Sequence, residues 1–249
     1  MNSKLVSANA APTTQASALP SRGNIDLHPV WLIAACSLWL TTLANLPLWQ
    51  QLNALPEIEN WRGLGFGGAM ILLIFSAQCA LFSLFSWHYF LKPVLILSLL
   101  AAAAGFYFIN AYGVVIDSTM MLNVLQTNLH EAGDLLNWQL GASLVLLGVL
   151  PSVGVWRLPI QRIGIGKSIL NLSAMLVLSL IVLLGTLTLI FQDFSSLMRN
   201  HTQIRYLINP MNSFYALADL AAKPFQIDHK TLLPLGRDAQ AAVVQTDRE

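Results

Sequence analysis

Five apolar stretches divide the chain, and each is long enough to cross a membrane as a helix. A helix needs about 20 mostly apolar residues to span the ~30 Å hydrocarbon core of a bilayer. None of these stretches contains an Asp, Glu, Lys or Arg, and they are His28–Trp49, Leu64–Trp87, Pro93–Tyr112, Leu135–Trp156 and Ser168–Phe191. The pattern predicts an all-α integral membrane protein with a domain of five transmembrane helices over residues 28–191.

The two ends of the chain lack this pattern. Residues 1–27 are rich in Ala, Ser, Thr and Pro without apolar periodicity, which is typical of a disordered tail. Residues 192–249 contain one or two short helical stretches broken at Pro210 and Pro224, followed by a polar stretch that is typical of a linker. We interpret residues 192–249 as juxtamembrane helices and a linker to a further domain.

Charge agrees with a membrane domain and predicts its orientation. Charged residues make up 10% of the chain, against about 25% in a typical soluble domain. The net charge of +1 gives no general attraction for nucleic acid. Short loops rich in Lys and Arg stay in the cytoplasm, and the basic residues of the tail and of alternate loops are Lys4, Arg22, Lys92, Arg157, Arg162 and Lys167. Only Arg62 lies in the other short loops. We therefore expect a cytoplasmic N-terminus and a C-terminal side across the membrane from it, which is the periplasm in a bacterial inner membrane.

The loop between the third and fourth stretches carries an unusual set of polar residues. Asp117 or Ser118 is a good N-cap for a helix, because its side-chain oxygen can accept from a free backbone N–H of the first turn. Polar residues then recur in steps of three and four at Asn123, Gln126, Thr127, His130, Glu131 and Asp134. This spacing predicts a short amphipathic helix at the outer membrane surface, with these side chains on one face.

Two interpretations of this polar face are open from the spacing alone. In the first, it is the solvated side of an ordinary interfacial helix. In the second, Asn123, Thr127 and Glu131, each four residues apart, bind a lipid headgroup. A carboxylate can hold the ammonium of an ethanolamine headgroup, while an amide and a hydroxyl can bond phosphate or glycerol oxygens.

Two segments of the chain resemble the phosphoethanolamine–lipid A transferases, a family that includes the mobile colistin-resistance enzymes. The first segment matches the motif in the loop with Tyr112-Gly113-Val114, Asp117, Met120, Asn123, Thr127 and Glu131-Ala132. The second follows the fifth stretch, with Gln192-Asp193-Phe194, Arg199-Asn200 and Asn209-Pro210-Met211-Asn212. Asp238-Ala239 stands where the family joins its periplasmic domain.

The resemblance implies a function in the bacterial inner membrane. A zinc-loaded periplasmic domain would use a threonine nucleophile to take phosphoethanolamine from phosphatidylethanolamine and pass it to lipid A. This modification is associated with polymyxin and colistin resistance. Residues equivalent to Asn123, Thr127 and Glu131 would contact the phosphatidylethanolamine. The nucleophile and the zinc ligands would lie beyond Glu249, so this chain alone would be inactive.

No catalytic residue and no metal ligand is assigned within the chain itself. Its histidines are scattered singly, and a lone histidine is far more often structural than a ligand. They are His28, His88, His130, His201 and His229.

Two other functions compete with the transferase. A transporter or channel fragment is one, although the stretches carry no Asp, Glu, Lys, Arg or His in their interior, where ion pathways use such residues, and show no inverted repeat. A membrane scaffold without enzyme activity, whose outer tail binds a partner, is the other. Asn45 and Gln78 lie within apolar stretches. We expect their side chains to form hydrogen bonds between helices rather than a transport site.

Overall fold

A computed structural model describes residues 27–55, 61–85, 89–114, 116–127, 133, 136–161 and 164–222. Within these ranges the regular structure is helical, apart from an isolated bridge between Leu27 and Ile160. The helices are α1 Pro29–Thr42, α2 Leu46–Asn53, α3 Trp61–Leu84, α4 Leu91–Tyr112, α5 Ser118–Gln126, α6 Trp138–Ser143, α7 Leu150–Arg157, α8 Ile165–Leu189, α9 Phe191–Asn200 and α10 Met211–Ala222. A π-helical turn, Leu144–Val149, joins α6 to α7, and a 3-10 helix, Thr202–Leu207, follows α9. The predicted all-α class is confirmed for the described residues.

In the described residues, four helical segments are long and apolar enough to cross a membrane: Gly63–Leu84, Leu91–Tyr112, Trp138–Arg157 and Gly166–Leu189. The predicted first span, His28–Trp49, is instead two helices, α1 and α2, which meet at an angle of 46°. Pro47 in the first turn of α2 explains the break, because its ring clashes with the carbonyl four residues earlier, that of Leu43. The count of five spans holds only when this bent pair is taken as one.

The fourth span also contains a proline, and a tertiary contact compensates for it. In a regular helix the carbonyl of Leu147 would accept from the backbone N–H of residue 151. Pro151 has no such N–H. The indole Nε1 of Trp39, in α1, donates to the Leu147 carbonyl instead, at 3.2 Å. The π-helical turn and its proline are therefore tied to the first helix.

Two apolar cores are stacked along the bundle. The first lies between α1, the second half of α3 and the first half of α4, and includes Ile33, Phe82 and Leu95. The second lies between α2, the first half of α3 and the segment after α8, and includes Met70 and Ile204. Buried polar residues from α1, α3 and the segment before α10 lie between these two cores.

Contacts at the two ends of the bundle show that the spans alternate in direction. At one end, the N–H of Leu27 donates to the carbonyl of Pro159 at 2.9 Å. At the same end, Lys92 Nζ donates to the carbonyls of Trp156 and Leu158, both at 2.9 Å. At the other end, α2 contacts the 3-10 helix, and α10 packs along α5. We call the end with α2, α5 and α10 the outer end. Of the tail predicted at 1–27 and the helices and linker predicted at 192–249, residues 1–26 and 223–249 lie outside the described residues.

Candidate functional site

The helix predicted in the loop after α4 is present as α5, and its predicted start is confirmed. The side chain of Asp117 accepts a hydrogen bond from the Met120 N–H at 2.7 Å, which makes Asp117 the N-cap. Just before it, Gly113 ends α4 with φ of 63°. Only glycine adopts this left-handed conformation without a steric cost. The glycine of the Tyr112-Gly113-Val114 motif is therefore explained by its position at the end of α4.

The predicted extent of this helix is wrong. It ends at Gln126 and does not continue to Asp134, because the backbone of Thr127 is extended, with φ −60° and ψ 125°. Both the N–H and the hydroxyl of Thr127 donate to the Asn123 carbonyl, at 2.8 and 2.7 Å. A threonine hydroxyl that bonds the backbone in this way competes with helix continuation. The regular helix that carries Asn123 therefore ends just before Thr127.

The structure places two of the three predicted site residues. Asn123 is exposed on the last turn of α5, and its side-chain amide has no hydrogen-bond partner in the described part of the chain. Thr127 is half-buried at the end of the helix, with its hydroxyl turned toward the Asn123 carbonyl. Glu131 lies outside the described residues, so its position relative to the other two stays a prediction.

The helix that carries Asn123 lies on the outside of the bundle. No residue of α5 is buried. It exposes polar side chains and also apolar ones, with Val124 and Leu125 more than half exposed. A helix with both kinds of surface open is suited to the boundary between lipid headgroups and acyl chains. The predicted position of this helix at the membrane surface stays a prediction.

An aromatic cluster supports the loop from the side of α4. The Tyr107 ring packs edge to face against the rings of Phe108 and Tyr112, with centroids 5.3 and 5.9 Å apart. Asn137 donates from Nδ2 to the Tyr107 hydroxyl and also caps α6, accepting from the Leu140 N–H at 2.8 Å. The two ends of the loop after α4 are thus joined by side-chain contacts.

The interpretation of Asn45 and Gln78 as hydrogen-bonding residues is confirmed, although their main partner was not foreseen. The hydroxyl of Thr41, in α1, donates to Gln78 Oε1, in α3, at 3.3 Å. The side-chain amides of Asn45 and Gln78 both donate to the carbonyl of Asn209, at 2.8 and 3.0 Å. Asn209 belongs to the second motif segment, and membership of that motif was the one signal that singled it out.

The described residues contain no group of three or more His, Cys, Asp or Glu side chains placed to hold a metal ion. The two cysteines, Cys36 and Cys79, are buried as free thiols in α1 and α3.

Comparison with known proteins identifies the family. A family model described as phosphoethanolamine transferase EptA/EptB matches residues 74–225. The phosphatidylethanolamine transferases Mcr-2 and Mcr-1 of Escherichia coli are each 33% identical over 79% of this chain and 36% of their own length. Phosphoethanolamine transferase EptA of Escherichia coli K12 is 28% identical over 75% of this chain and 34% of its own length. This chain thus spans about a third of the length of these curated relatives.

A solved structure shares the fold. The integral membrane lipooligosaccharide phosphoethanolamine transferase A (EptA) from Neisseria meningitidis superposes with a TM-score of 0.73 and 24% identity. The match covers 82% of this chain and 38% of that protein. The fold and site are those of a multi-spanning helical membrane domain with a polar helix at its surface. The chain belongs to the phosphoethanolamine transferase EptA/EptB family.

Proposed function

We propose that this chain is the membrane and lipid-docking domain of a transferase that moves phosphoethanolamine from phosphatidylethanolamine to lipid A. The transfer itself would take place in a zinc-containing catalytic domain outside residues 1–249, and this chain alone would be inactive. Support comes from the family and from the relatives, of which about two thirds lies outside the matched region. An added ammonium group would reduce the negative charge of lipid A and weaken its attraction for cationic polymyxins.

We place the outer end of the bundle in the periplasm of a bacterial inner membrane. The opposite end carries Lys92, Arg157 and Lys167, close to the ends of α4, α7 and α8. Basic residues near the ends of spans favour the cytoplasmic side. In this orientation α5 faces the outer leaflet of the inner membrane, where its polar residues would meet the headgroup of a donor lipid.

The observation that carries the docking proposal is the exposed amide of Asn123 on a helix that stands at the bundle surface. An amide supplies two donors and an acceptor, so Asn123 can donate to phosphate oxygens of a lipid. The Thr127 hydroxyl donates to its own helix and keeps its oxygen lone pairs, which can accept from an ammonium. The role of Glu131, a carboxylate that would pair with the ammonium, rests on the family motif.

Competition for a photo-crosslinkable phosphatidylethanolamine in nanodiscs tests this proposal. The chain is placed in phosphatidylcholine nanodiscs that hold a trace of the probe, and unlabelled phosphatidylethanolamine is added in increasing mole fraction. We expect Glu131→Gln to raise the half-saturating mole fraction at least tenfold, since a hydrogen bond to a charged group contributes about 1.5–3 kcal/mol and ~1.4 kcal/mol is tenfold. Asn123→Ala and Thr127→Val should raise it about tenfold, at the lower end of the same range, because each removes one hydrogen bond from an uncharged side chain to a charged part of the headgroup.

Gln126→Ala is the matched control, because Gln126 is an exposed polar residue of the same helix without a place in the motif. It should leave the half-saturating mole fraction unchanged. Equal competition by phosphatidylcholine and phosphatidylethanolamine would remove the docking proposal. Similar small effects of all four substitutions would favour the solvated-face interpretation instead.

A further inference from the structure

A layer of buried polar groups separates the two apolar cores, and it is centred on the backbone of Asn209. Asn45 and Gln78 are fully buried, and Asn209 is 1% exposed. Such groups are costly in a membrane domain when they lack hydrogen-bond partners. The side chains of Asn45 and Gln78 and the backbone of Asn209 have partners, whereas the side-chain amide of Asn209 has none in the described part of the chain. Where their hydrogen bonds go therefore shows what the layer holds together.

The side chain of Asn45 holds the backbone of Asn209 from both sides. Its Nδ2 donates to the Asn209 carbonyl, and its Oδ1 accepts from the Asn209 N–H, both at 2.8 Å. Gln78 Nε2 adds a second bond to the same carbonyl at 3.0 Å. Both backbone groups of Asn209 are thus satisfied by side chains far away in sequence. Asn45, at the bend between α1 and α2, is 164 positions away, and Gln78, in α3, is 131 positions away.

The side chain of Asn209 lies directly against α4 at Gly105. A Cβ built on Gly105 would lie 2.6 Å from Asn209 Oδ1 and 3.0 Å from Ile116 Cδ1. Only the missing side chain of Gly105 allows Asn209 and Ile116 to approach together. Asn209 and Ile116, the residue before the N-cap of α5, therefore both pack against α4 at Gly105.

Asn209 is connected to α5 through the start of α10. Asn212, three residues after Asn209 and near the start of α10, donates from Nδ2 to the carbonyl of Ile116. Ile116 is followed directly by Asp117, which caps α5. Because α5 has no buried residue of its own and packs along α10, its position depends on these contacts.

We propose that Asn45 and Gln78 are positioning residues for lipid docking. They hold Asn209, which with Asn212 and Ile116 fixes where α5 begins, and so where Asn123 and Thr127 stand at the membrane surface. This inference rests on the docking function proposed above. The alternative is that the polar layer serves stability alone, and the two predict different responses to a mild substitution.

Gln78→Leu is the test variant, because Asn45 still bonds both backbone groups of Asn209 when Gln78 is removed. Ser76→Ala is the matched control, since Ser76 is also buried in α3 but donates only to the Leu73 carbonyl of its own helix, at 3.0 Å. Both variants are compared with the wild-type chain in nanodiscs by hydrogen–deuterium exchange and by the phosphatidylethanolamine competition described above.

We expect Gln78→Leu to speed exchange in residues 116–126 and 211–222 while α8 exchanges as in the wild type. The half-saturating mole fraction of phosphatidylethanolamine should rise about 3- to 10-fold, with the maximum crosslinking unchanged. Ser76→Ala should change neither measurement. If the wild-type chain shows no preference for phosphatidylethanolamine, the proposed docking function is wrong. The exchange measurement would still show whether Gln78 positions α5.

A double-mutant comparison separates positioning from stability. Asn212→Leu cuts the connection between α10 and Ile116, so adding Gln78→Leu to it should increase exchange in α5 by less than the sum of the single effects. Unchanged exchange in α5 and α10 of Gln78→Leu would overturn the proposal. A uniform increase in every helix, or an equal effect of Ser76→Ala, would overturn it as well.

Discussion

The spans of this domain differ in how much of them the rest of the chain covers. In the central spans, α3 and α4, 44% of the apolar stretch is buried against the rest of the protein. In the peripheral spans the share is 22% for Trp138–Arg157 and 17% for Gly166–Leu189. All of them are apolar enough to lie in lipid. Apolarity therefore places a helix in the membrane but does not place it within the bundle.

The fully buried hydrogen bonds between segments follow the same division. Gln78, in α3, bonds to residues of two other segments, and Gly105, in α4, receives Asn209. In α8, by contrast, Ser173 and Thr188 donate to carbonyls of their own helix, and the bond from Asn171 to His28, at 3.0 Å, is only partly buried. Because lipid tails are as apolar as the helices, close packing and hydrogen bonds rather than hydrophobic burial hold helices together in a membrane. The central spans should thus be sensitive to substitution, and the peripheral spans tolerant.

The largest effect on stability is expected at Gly105. Gly105→Ala would put a Cβ 2.6 Å from Oδ1 of Asn209, which is 1% exposed and has little room to move. We expect a loss of about 1–3 kcal/mol, as for overpacking elsewhere. Unfolding of the purified chain by titration with sodium dodecyl sulfate measures the change.

Gly185→Ala, in the peripheral helix α8, is the control for Gly105→Ala. A Cβ at Gly185 would meet nothing within 4 Å, so this variant should unfold as the wild type does. If Gly105→Ala and Gly185→Ala have equal stability, then the division between central and peripheral spans does not hold.

Much of this architecture could be predicted from sequence, because charge-free apolar stretches have no alternative to lipid. The break between α1 and α2 was missed, since proline is tolerated in membrane helices and hydropathy does not register it. The end of α5 was missed because polar spacing continues past Thr127, whose hydroxyl turns back to the Asn123 carbonyl. Asn209 was not foreseen as the partner of Asn45, because only the tertiary fold brings together residues 164 positions apart.

A smaller effect is expected where a peripheral span is tied to α1. Trp39→Phe keeps an aromatic ring but removes the indole N–H that donates to the Leu147 carbonyl. Hydrogen bonds between membrane helices contribute about 0.6 kcal/mol on average and up to about 1.7. We expect a loss in that range in the same unfolding titration.

Pro151→Ala provides the internal check on Trp39→Phe. It restores a backbone N–H at residue 151, which can supply the Leu147 carbonyl with a donor from its own helix once the π-helical turn becomes a regular α-helix. In the Pro151→Ala background, Trp39→Phe should therefore cost less than it does alone. An undiminished cost would mean that Trp39 stabilises the fourth span by packing rather than by its hydrogen bond.

The smallest effect is expected at the end of the bundle opposite α5, where Lys92 donates to the carbonyls of Trp156 and Leu158 near the end of α7. A cation at a helix C-terminus interacts favourably with the free carbonyls, typically by about 0.3–1 kcal/mol at an exposed position. Lys92→Met should lower stability by that amount, and less at high salt, because an exposed charge is screened. Lys167→Met removes a basic residue from the same end without removing these bonds. Equal losses for Lys92→Met and Lys167→Met, at equal membrane insertion, would show that Lys92 acts through its charge alone and not as a cap on α7.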